Sequence, residues 1–258
     1  MLDHLSYSSI SAYLTCGRHW QYRYVEQAPA LTSTNLLLGS AVHGAIESYI
    51  TAPNVPINAA DLMVNLWRES WSKQLTANEG RVDWGTDTPE ALANQGLKML
   101  THPDTLVALD GLTPLGPEWI EKRVELQVPG VPVPVVGYID IVAADGIPGD
   151  FKTSAQSWSE GKAIAETQPL FYLAALNQAG YKLNPDWRFR HYVFVKTKEP
   201  KVQIIEHGHK PSQLFWLFEM IRSVWQAIDA GVYPLNPTGW KCAPGYCEYW
   251  TRCRGRAG

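Results

Sequence analysis

From Trp119 onward the apolar positions recur every second residue. Ile120, Lys122, Val124, Leu126 and Val128 fall on one face, and Glu121, Arg123, Glu125 and Gln127 on the other, which predicts a strand with one solvated side. Pro129-Gly130 turns the chain back into the apolar run 135–142, which carries Asp140. A further turn leads to a third strand holding Asp150-Phe151-Lys152, so a three-strand meander is predicted. Residues 187–196 and 202–207 read as two more strands. Elsewhere the period is helical. Ser8 and Ser9 offer N-caps ahead of Ile10, Tyr13, Leu14, Trp20 and Tyr24. Gly39 and Ser40 open a second predicted helix with Val42, Ile46, Tyr49 and Ile50 as its buried stripe. Residues 61–75 and 88–100 read as helices, the latter capped by Thr88 with Pro89 in its first position, and 111–117 as loop. Region 51–118 is thus expected to form a helical layer beside the sheet. Thr167 caps a helix starting Gln168-Pro169, with Leu170, Leu173, Ala174 and Leu176 toward the sheet. Residues 211–230 form a strongly amphipathic helix that Gly231 ends.

The turn after Asp140 decides whether this pattern can hold chemistry. A two-residue loop at Asp145-Gly146 would set Asp140 against Phe151 and part the two carboxylates. A three-residue loop, Ala144-Asp145-Gly146, sets Asp140 against Asp150, with Gly146 supplying the left-handed residue such loops favour. The second arrangement is expected. Alternation along the strand places Asp150 and Lys152 on one face. Carboxylates among Val135, Val136, Ile139, Ile141 and Val142 call for a partner or a metal, and hard oxygen ligands suit magnesium or manganese. The plain alternative makes Asp150 a strand terminus and Lys152 its solvated neighbour. His43 lies beside the stripe of the second helix, with Glu47 one turn on; it reads as a structural histidine or as a ligand. Gln168 and Tyr172 are four apart and share a helix face. Glu121 or Glu125 could approach the carboxylate patch, although a solvated sheet face is the default expectation.

Composition narrows the class. The chain has 258 residues, 45% hydrophobic and 18% charged, which is globular and large enough for one domain. No apolar run reaches membrane-span length and no signal-peptide pattern opens the chain, so a soluble cytoplasmic protein without membrane partners is expected. A net charge of −3 gives no global attraction to nucleic acid. Locally, Lys182, Arg188, Arg190, Lys196, Lys198 and Lys201 cluster, and Lys241, Arg252, Arg254 and Arg256 follow at the tail. Such patches either follow a phosphate backbone or are ordinary solvated faces. The four cysteines are Cys16 and, spaced C-x4-C-x5-C, Cys242, Cys247 and Cys253. Four thiolates can hold zinc or an iron–sulphur cluster. The three-plus-one layout lacks the paired knuckles of zinc sites and leans toward a cluster, with unrelated buried thiols as the remaining reading.

His43, Gly137-Tyr-Ile-Asp140, Asp150-Phe-Lys152 and Gln168-x-x-x-Tyr172, in that order, resemble the RecB-like branch of the PD-(D/E)xK nucleases. One N-terminal and three C-terminal cysteines resemble its iron–sulphur exonucleases, such as the CRISPR-associated exonucleases and the AddB nuclease domain. The opening Ser8-Ser9-Ile10, Tyr13 and Cys16 resemble the family's first helix. The resemblance implies an α/β, restriction-endonuclease-like fold, in which a mixed central sheet is flanked by helices. It implies a single domain over 1–258. Within it, 1–30 plus 232–258 would form an iron–sulphur subdomain joined to the N-terminal helix, and 51–118 a helical insertion. It further implies that Asp140, Asp150 and Lys152 are catalytic and that His43, Asp140, Asp150 and the Phe151 carbonyl bind Mg2+ or Mn2+. Gln168 and Tyr172 would hold DNA or order the site. Cys16, Cys242, Cys247 and Cys253 would carry a [4Fe–4S] cluster. The expected activity is a metal-dependent exonuclease acting on DNA ends or single strands in recombination, repair or phage DNA processing, with other recombination or repair proteins as partners. The alternative is a non-catalytic DNA-binding or scaffold subunit of a helicase–nuclease complex.

Overall fold

The computed structural model describes residues 2–52 and 58–255. Strand β1 (Leu5–Ser6) runs straight into α1 (Tyr7–Thr15) and α2 (Gly17–Trp20), followed by a π-helical turn at Gln21–Val25. The α1 cap is Ser6, ahead of the two serines expected to cap it. The Ser6 hydroxyl accepts from the Ser9 amide at 3.0 Å, and the Ser9 hydroxyl accepts from the Ser6 amide at 3.1 Å. Two orphan amides are satisfied reciprocally, which places Ser8 and Ser9 inside the helix. After β2 (Thr32–Ser33) comes α3 (Thr34–Thr51), which starts ahead of the expected Gly39. Ser33 caps it, and Leu37 and Leu38 extend the buried stripe through the glycine.

Helices α4 (Ala59–Ala77), α5 (Pro89–Leu100) and α6 (Pro103–Asp110) complete the helical layer, with β3 (Val82–Asp83) pairing β2 between them. The Thr88 cap of α5 is as expected, its hydroxyl accepting from the Ala91 amide. Helix α6 lies in a stretch without a clear apolar period, with Pro103 in its first position. Strands β4 (Ile120–Leu126), β5 (Val135–Val142) and β6 (Pro148–Ser154) form the meander. Helices α7 (Glu160–Ala165) and α8 (Gln168–Gln178), strands β7 (Arg188–Val195) and β8 (Lys201–Gly208), then α9 (Leu214–Asp229) and α10 (Trp250–Arg254) follow. Thr167 makes no side-chain cap at α8; its hydroxyl bonds the Tyr7 hydroxyl instead.

The sheet is mixed, ordered β1-β5-β6-β7-β8 with β4 also on β5. Val135 pairs both Leu126 of β4 and Leu5 of β1, while Ile141 pairs both Ile120 of β4 and Gly149 of β6. A strand has two edges, so β1 and β6 share the one that β4 leaves free. One holds its beginning, the other its end, and between them β5 has no strand partner on that side. The sheet is therefore forked. The turn closing β5 onto β6 has the expected length. Ala143 donates to the Ile147 carbonyl at 3.0 Å across Ala144-Asp145-Gly146, and Gly146 takes φ +80°.

Two apolar layers cover the sheet. One joins α1, α8 and α9 to Val124, Leu126, Val135 and Ile139. The other joins α3, α4 and α5 to Ile141, Phe151, Tyr192 and Phe194. Close approach of α8 depends on Gly137, where a Cβ would fall 2.5 Å from the Phe171 ring. Tail and first helices are joined directly: the Tyr13 hydroxyl donates to the Val232 carbonyl at 2.6 Å and the Asn236 amide to the Thr15 carbonyl at 2.9 Å. Among the described residues no helix is long and apolar enough to cross a membrane.

Candidate active site

The fork sets the chemistry. One rung beyond Ile141↔Gly149 the same register faces Asp140 with Asp150, and there the β5–β6 ladder stops. An open ladder leaves amides without partners, and such groups must be satisfied. Asp140 Oδ2 takes the Phe151 amide at 2.5 Å. The carboxylate thus replaces a main-chain acceptor and is fixed by the backbone of the opposite strand. Lys152 extends from β6 to within 2.5 Å of Asp150 Oδ2. Its Nζ donates to Gln168 Oε1 at 2.8 Å, Gln168 Nε2 donates to the Tyr172 hydroxyl at 2.8 Å, and that hydroxyl donates to the Tyr138 carbonyl at 2.5 Å. The last bond lands on the unpaired edge of β5. Gln168 and Tyr172 thereby close the fork from the α8 side and hold the ammonium in place.

His43 comes from α3. Its Nδ1 stands 3.6 Å from Asp140 Oδ2, and its ring packs edge-on to Phe151. Burial holds the imidazole below its usual pKa, outweighing the nearby Asp150 charge, so it is neutral at pH 7 and has a lone pair to offer. Burial likewise raises the Asp140 carboxyl well above the usual range, with the Asp150 charge adding to it. Burial also opposes the Lys152 charge, but Asp150 outweighs it and raises its pKa. Lys152 is thus an ammonium, and at neutral pH it is no proton acceptor.

The structure adds Glu121, a residue of the strand face for which solvation is the default expectation. Donor atoms of His43, Glu121 and Asp140 lie within 4.8 Å of one another, the one such trio among the described residues. Glu121 sits on β4 one rung from the Ile120↔Ile141 pair, in the left-handed region at φ +47°. Desolvation at the carboxyl, then the charges of Glu47 and Asp150, push it up to about 7, although the residue as a whole stays exposed. The φ of a non-glycine residue held there stores strain that the surroundings must enforce. No single-strand pattern reveals that backbone twist, and the rung opposite Asp140 was the available signal. A second unexpected feature lies behind Asp150. His191 pairs with it across β6–β7, stacks on His207 with centroids 5.1 Å apart, and is fully buried. Burial lowers the two pKa values to about 3 and about 4, so both rings are neutral.

The trio fits a divalent cation, with two carboxylates and one neutral imidazole as donors. Asp150, buried opposite Asp140, has its Oδ2 engaged by the Lys152 ammonium at 2.5 Å.

The other sequence features resolve differently. Cys16, Cys242, Cys247 and Cys253 line one cavity of about 160 Å³ together with His19, Tyr22, Lys241, Tyr249, Trp250 and Arg254. No three of their sulphurs lie within 4.8 Å of one another. Of the basic cluster around β7, the two arginines are spent on local pairs. Arg188 meets Glu206 at 2.6 Å, and Arg190 meets Asp145 at 2.6 Å and Glu206 at 2.7 Å. Arg252 pairs with Glu26 at 2.5 Å, and Arg256 lies outside the described residues.

The profile of the PD-(D/E)XK nuclease superfamily matches residues 4–254, and the chain belongs to that superfamily. Its members are hydrolytic nucleases that use divalent metals, and DNA is the substrate the family implies. Among solved structures, the chain resembles the "Putative exonuclease" from Eubacterium rectale. The TM-score is 0.61 at 13% identity, over 92% of this chain and 85% of that one, which is a likeness of fold. No curated protein matches the sequence.

Proposed function

We propose that the protein is a metal-dependent DNA exonuclease whose centre is the Asp140–Asp150–Lys152 fork. The observation that carries the reading is the convergence of two facing strand-borne carboxylates, a neutral imidazole and an ammonium where the ladder opens. His43, Glu121, Asp140 and Asp150 would hold the ion, with the Phe151 carbonyl as a further donor beside them. A divalent cation there supplies Lewis-acid polarisation of the phosphate and lowers the pKa of water. The protein's share is positional. Asp150 and Gln168 aim the Lys152 ammonium at the place where phosphate charge builds during hydrolysis. That role uses the protonated form, so Lys152 orients water and neutralises charge and leaves proton abstraction to another group. Gln168, itself held by Tyr172, gives the ammonium a second fixed partner beside Asp150. The neutral His191–His207 stack adds no charge behind the site.

The cysteine cavity supports a [4Fe–4S] cluster at the junction of the chain ends. What supports the reading is that all four cysteines line this one cavity. Arg254 Nη2 lies 3.5 Å from Cys242 Sγ, and cationic neighbours suit thiolate ligands. Such a cluster would cross-link the termini of a loop with 225 intervening residues between Cys16 and Cys242.

The test is digestion of DNA labelled at either the 5′ or the 3′ end, with Mg2+, Mn2+ or EDTA. Release of short labelled products from one end, dependent on metal, is expected. A protein that binds DNA yet leaves every label intact would instead be the non-catalytic scaffold.

A further inference from the structure

The fork between β1 and β6 encloses more than the reactive carboxylates. On its β1 side lies a cavity of about 390 Å³, lined by His4, Ser6, Tyr7, Arg123, Tyr138 and Gln168. Its floor is the stretch of β5 that has no strand partner on that side, and its far wall is α8. Three observations describe what it would take. First, Tyr138 stands on a central strand with its side chain 51% exposed, although Ile139 and Asp140 beside it are buried. Packing does not use this ring, and aromatic side chains are otherwise strongly drawn to cores. Second, Arg123 is the cross-strand partner of Tyr138 and lines the same cavity. Its side chain is half exposed, and its carboxylate partner is Glu125. Third, α1 begins at this cavity with no acidic residue in its first turn to offset the positive end of its dipole.

An open π-face, a guanidinium and a helix start with no acid are the features that bind a nucleotide: base on ring, phosphate on cation. Size sets the number. Ligand pockets run from about 300 to 1,000 Å³, and this one lies near the lower bound, room for one nucleotide and too little for a base pair. Its place relative to the chemistry is fixed by Gln168, which lines the cavity and accepts the Lys152 ammonium at 2.8 Å. We infer that this cavity holds the single unpaired nucleotide next to the phosphate being cut, its base stacked on Tyr138 and its phosphate on Arg123. The protein then favours single-stranded ends over blunt duplexes, because a paired base cannot enter the fork. The inference deepens the nuclease reading and rests on it.

The experiment is fluorescence titration with a short single-stranded oligodeoxynucleotide carrying 2-aminopurine at its terminal position, in EDTA so that no cleavage occurs. Wild type should quench the probe on binding. Tyr138→Ala should lose the quench and bind roughly 10-fold more weakly, while Tyr138→Phe keeps both, since stacking needs the ring and not the hydroxyl. Affinity for a blunt duplex should be the same in all three. Both variants should melt as wild type does, the side chain being exposed. Unchanged quench and affinity in Tyr138→Ala would overturn the pocket, as would equal losses in the Phe and Ala variants. If wild type cleaves DNA with metal while Tyr138→Ala behaves as wild type in the titration, the pocket fails and the nuclease reading stands. Absence of both binding and cleavage in wild type would remove both.

Discussion

The carboxylate fork and the cysteine cavity are both sites where distant parts of the chain converge, but they are built in opposite ways. At the fork the carboxylates and the ammonium stand on sheet strands and are fixed by the sheet and by α8. Asp140 is held by the Phe151 amide, Lys152 by Asp150 and Gln168, and Gln168 by Tyr172. On the proposed reading, the metal donors would be preorganised before an ion binds. At the cysteines the scaffold is loop and short helix, and the links across it are peripheral. His19 meets Glu248 at 2.8 Å, Lys241 approaches both, and the Tyr249 hydroxyl donates to the Ala28 carbonyl at 3.2 Å. Glu248 is drawn down to about 2, despite burial, by its hydrogen bond from His19. The ring of contacts frames the cavity, and the bound group would have to complete it. Losing the ion should therefore silence the fork without unfolding it, whereas losing the cluster should loosen the chain ends and leave the fork intact.

The largest effect expected is at the fork. Asp140→Asn or Asp150→Asn should lower hydrolysis by at least about 10³-fold, the scale of several kcal/mol of lost charge stabilisation. Stability should move the other way. The Asp140 carboxyl is raised in the folded state, so the folded protein binds more protons than the unfolded one as pH rises from about 4. That costs stability as pH rises through the folded pKa. Asp140→Asn keeps an acceptor for the Phe151 amide and removes this cost. Metal-free melting at pH 8 should be equal to or a few degrees above wild type, roughly 2–4 °C for each kcal/mol recovered. Equal activity in either variant, or collapse of the fold, would break the comparison.

Lys152→Ala should come next. One ammonium among many cations adds little to total phosphate affinity, so binding should change about 2- to 3-fold while turnover falls about 10²-fold or more. Parallel loss of both in a titration would make Lys152 a simple phosphate contact. For the cysteines, each Cys→Ala variant should lose iron and sulphide and melt earlier, with an upper scale of about 4–5 kcal/mol from the entropy of closing so long a loop. Mn2+ affinity at the fork should stay within error. Full iron retention in any one variant would exclude that residue as a ligand. The smallest effect concerns pH. His43 is already neutral near pH 7, so it contributes no slope there. Glu121, pushed up to about 7, holds a proton below that value which a cation must displace. Metal affinity should fall as pH drops from 8 to 6, and Glu121→Gln should flatten that fall at lower overall affinity.

What the sequence made legible follows the same division. The meander, the length of the loop after Ala143 and the facing of Asp140 with Asp150 depend on alternation and turn chemistry, which are local. The fork did not, because nothing in Leu5-Ser6 says that so short a strand will take the edge of β5 beside β6. Glu121 was placed on the correct strand but assigned to solvent, since its approach depends on a left-handed residue that has no residue-type signature. The α1 cap was displaced by two or three residues because three serines in the opening segment could each serve. The pairing of Arg188 and Arg190 could not be read from composition, because their partners Asp145 and Glu206 lie on the β5–β6 turn and on β8. The cysteines were grouped by count and spacing, and that they line one cavity depends on the tail returning to α1 and α2.

The most direct measurement of the central claim is calorimetric titration of Mn2+ into the DNA-free protein at pH 8, with Asp140→Asn and His43→Ala beside wild type. The account predicts saturable binding in wild type, its loss in Asp140→Asn and a marked weakening in His43→Ala. Binding in Asp140→Asn indistinguishable from wild type would contradict it.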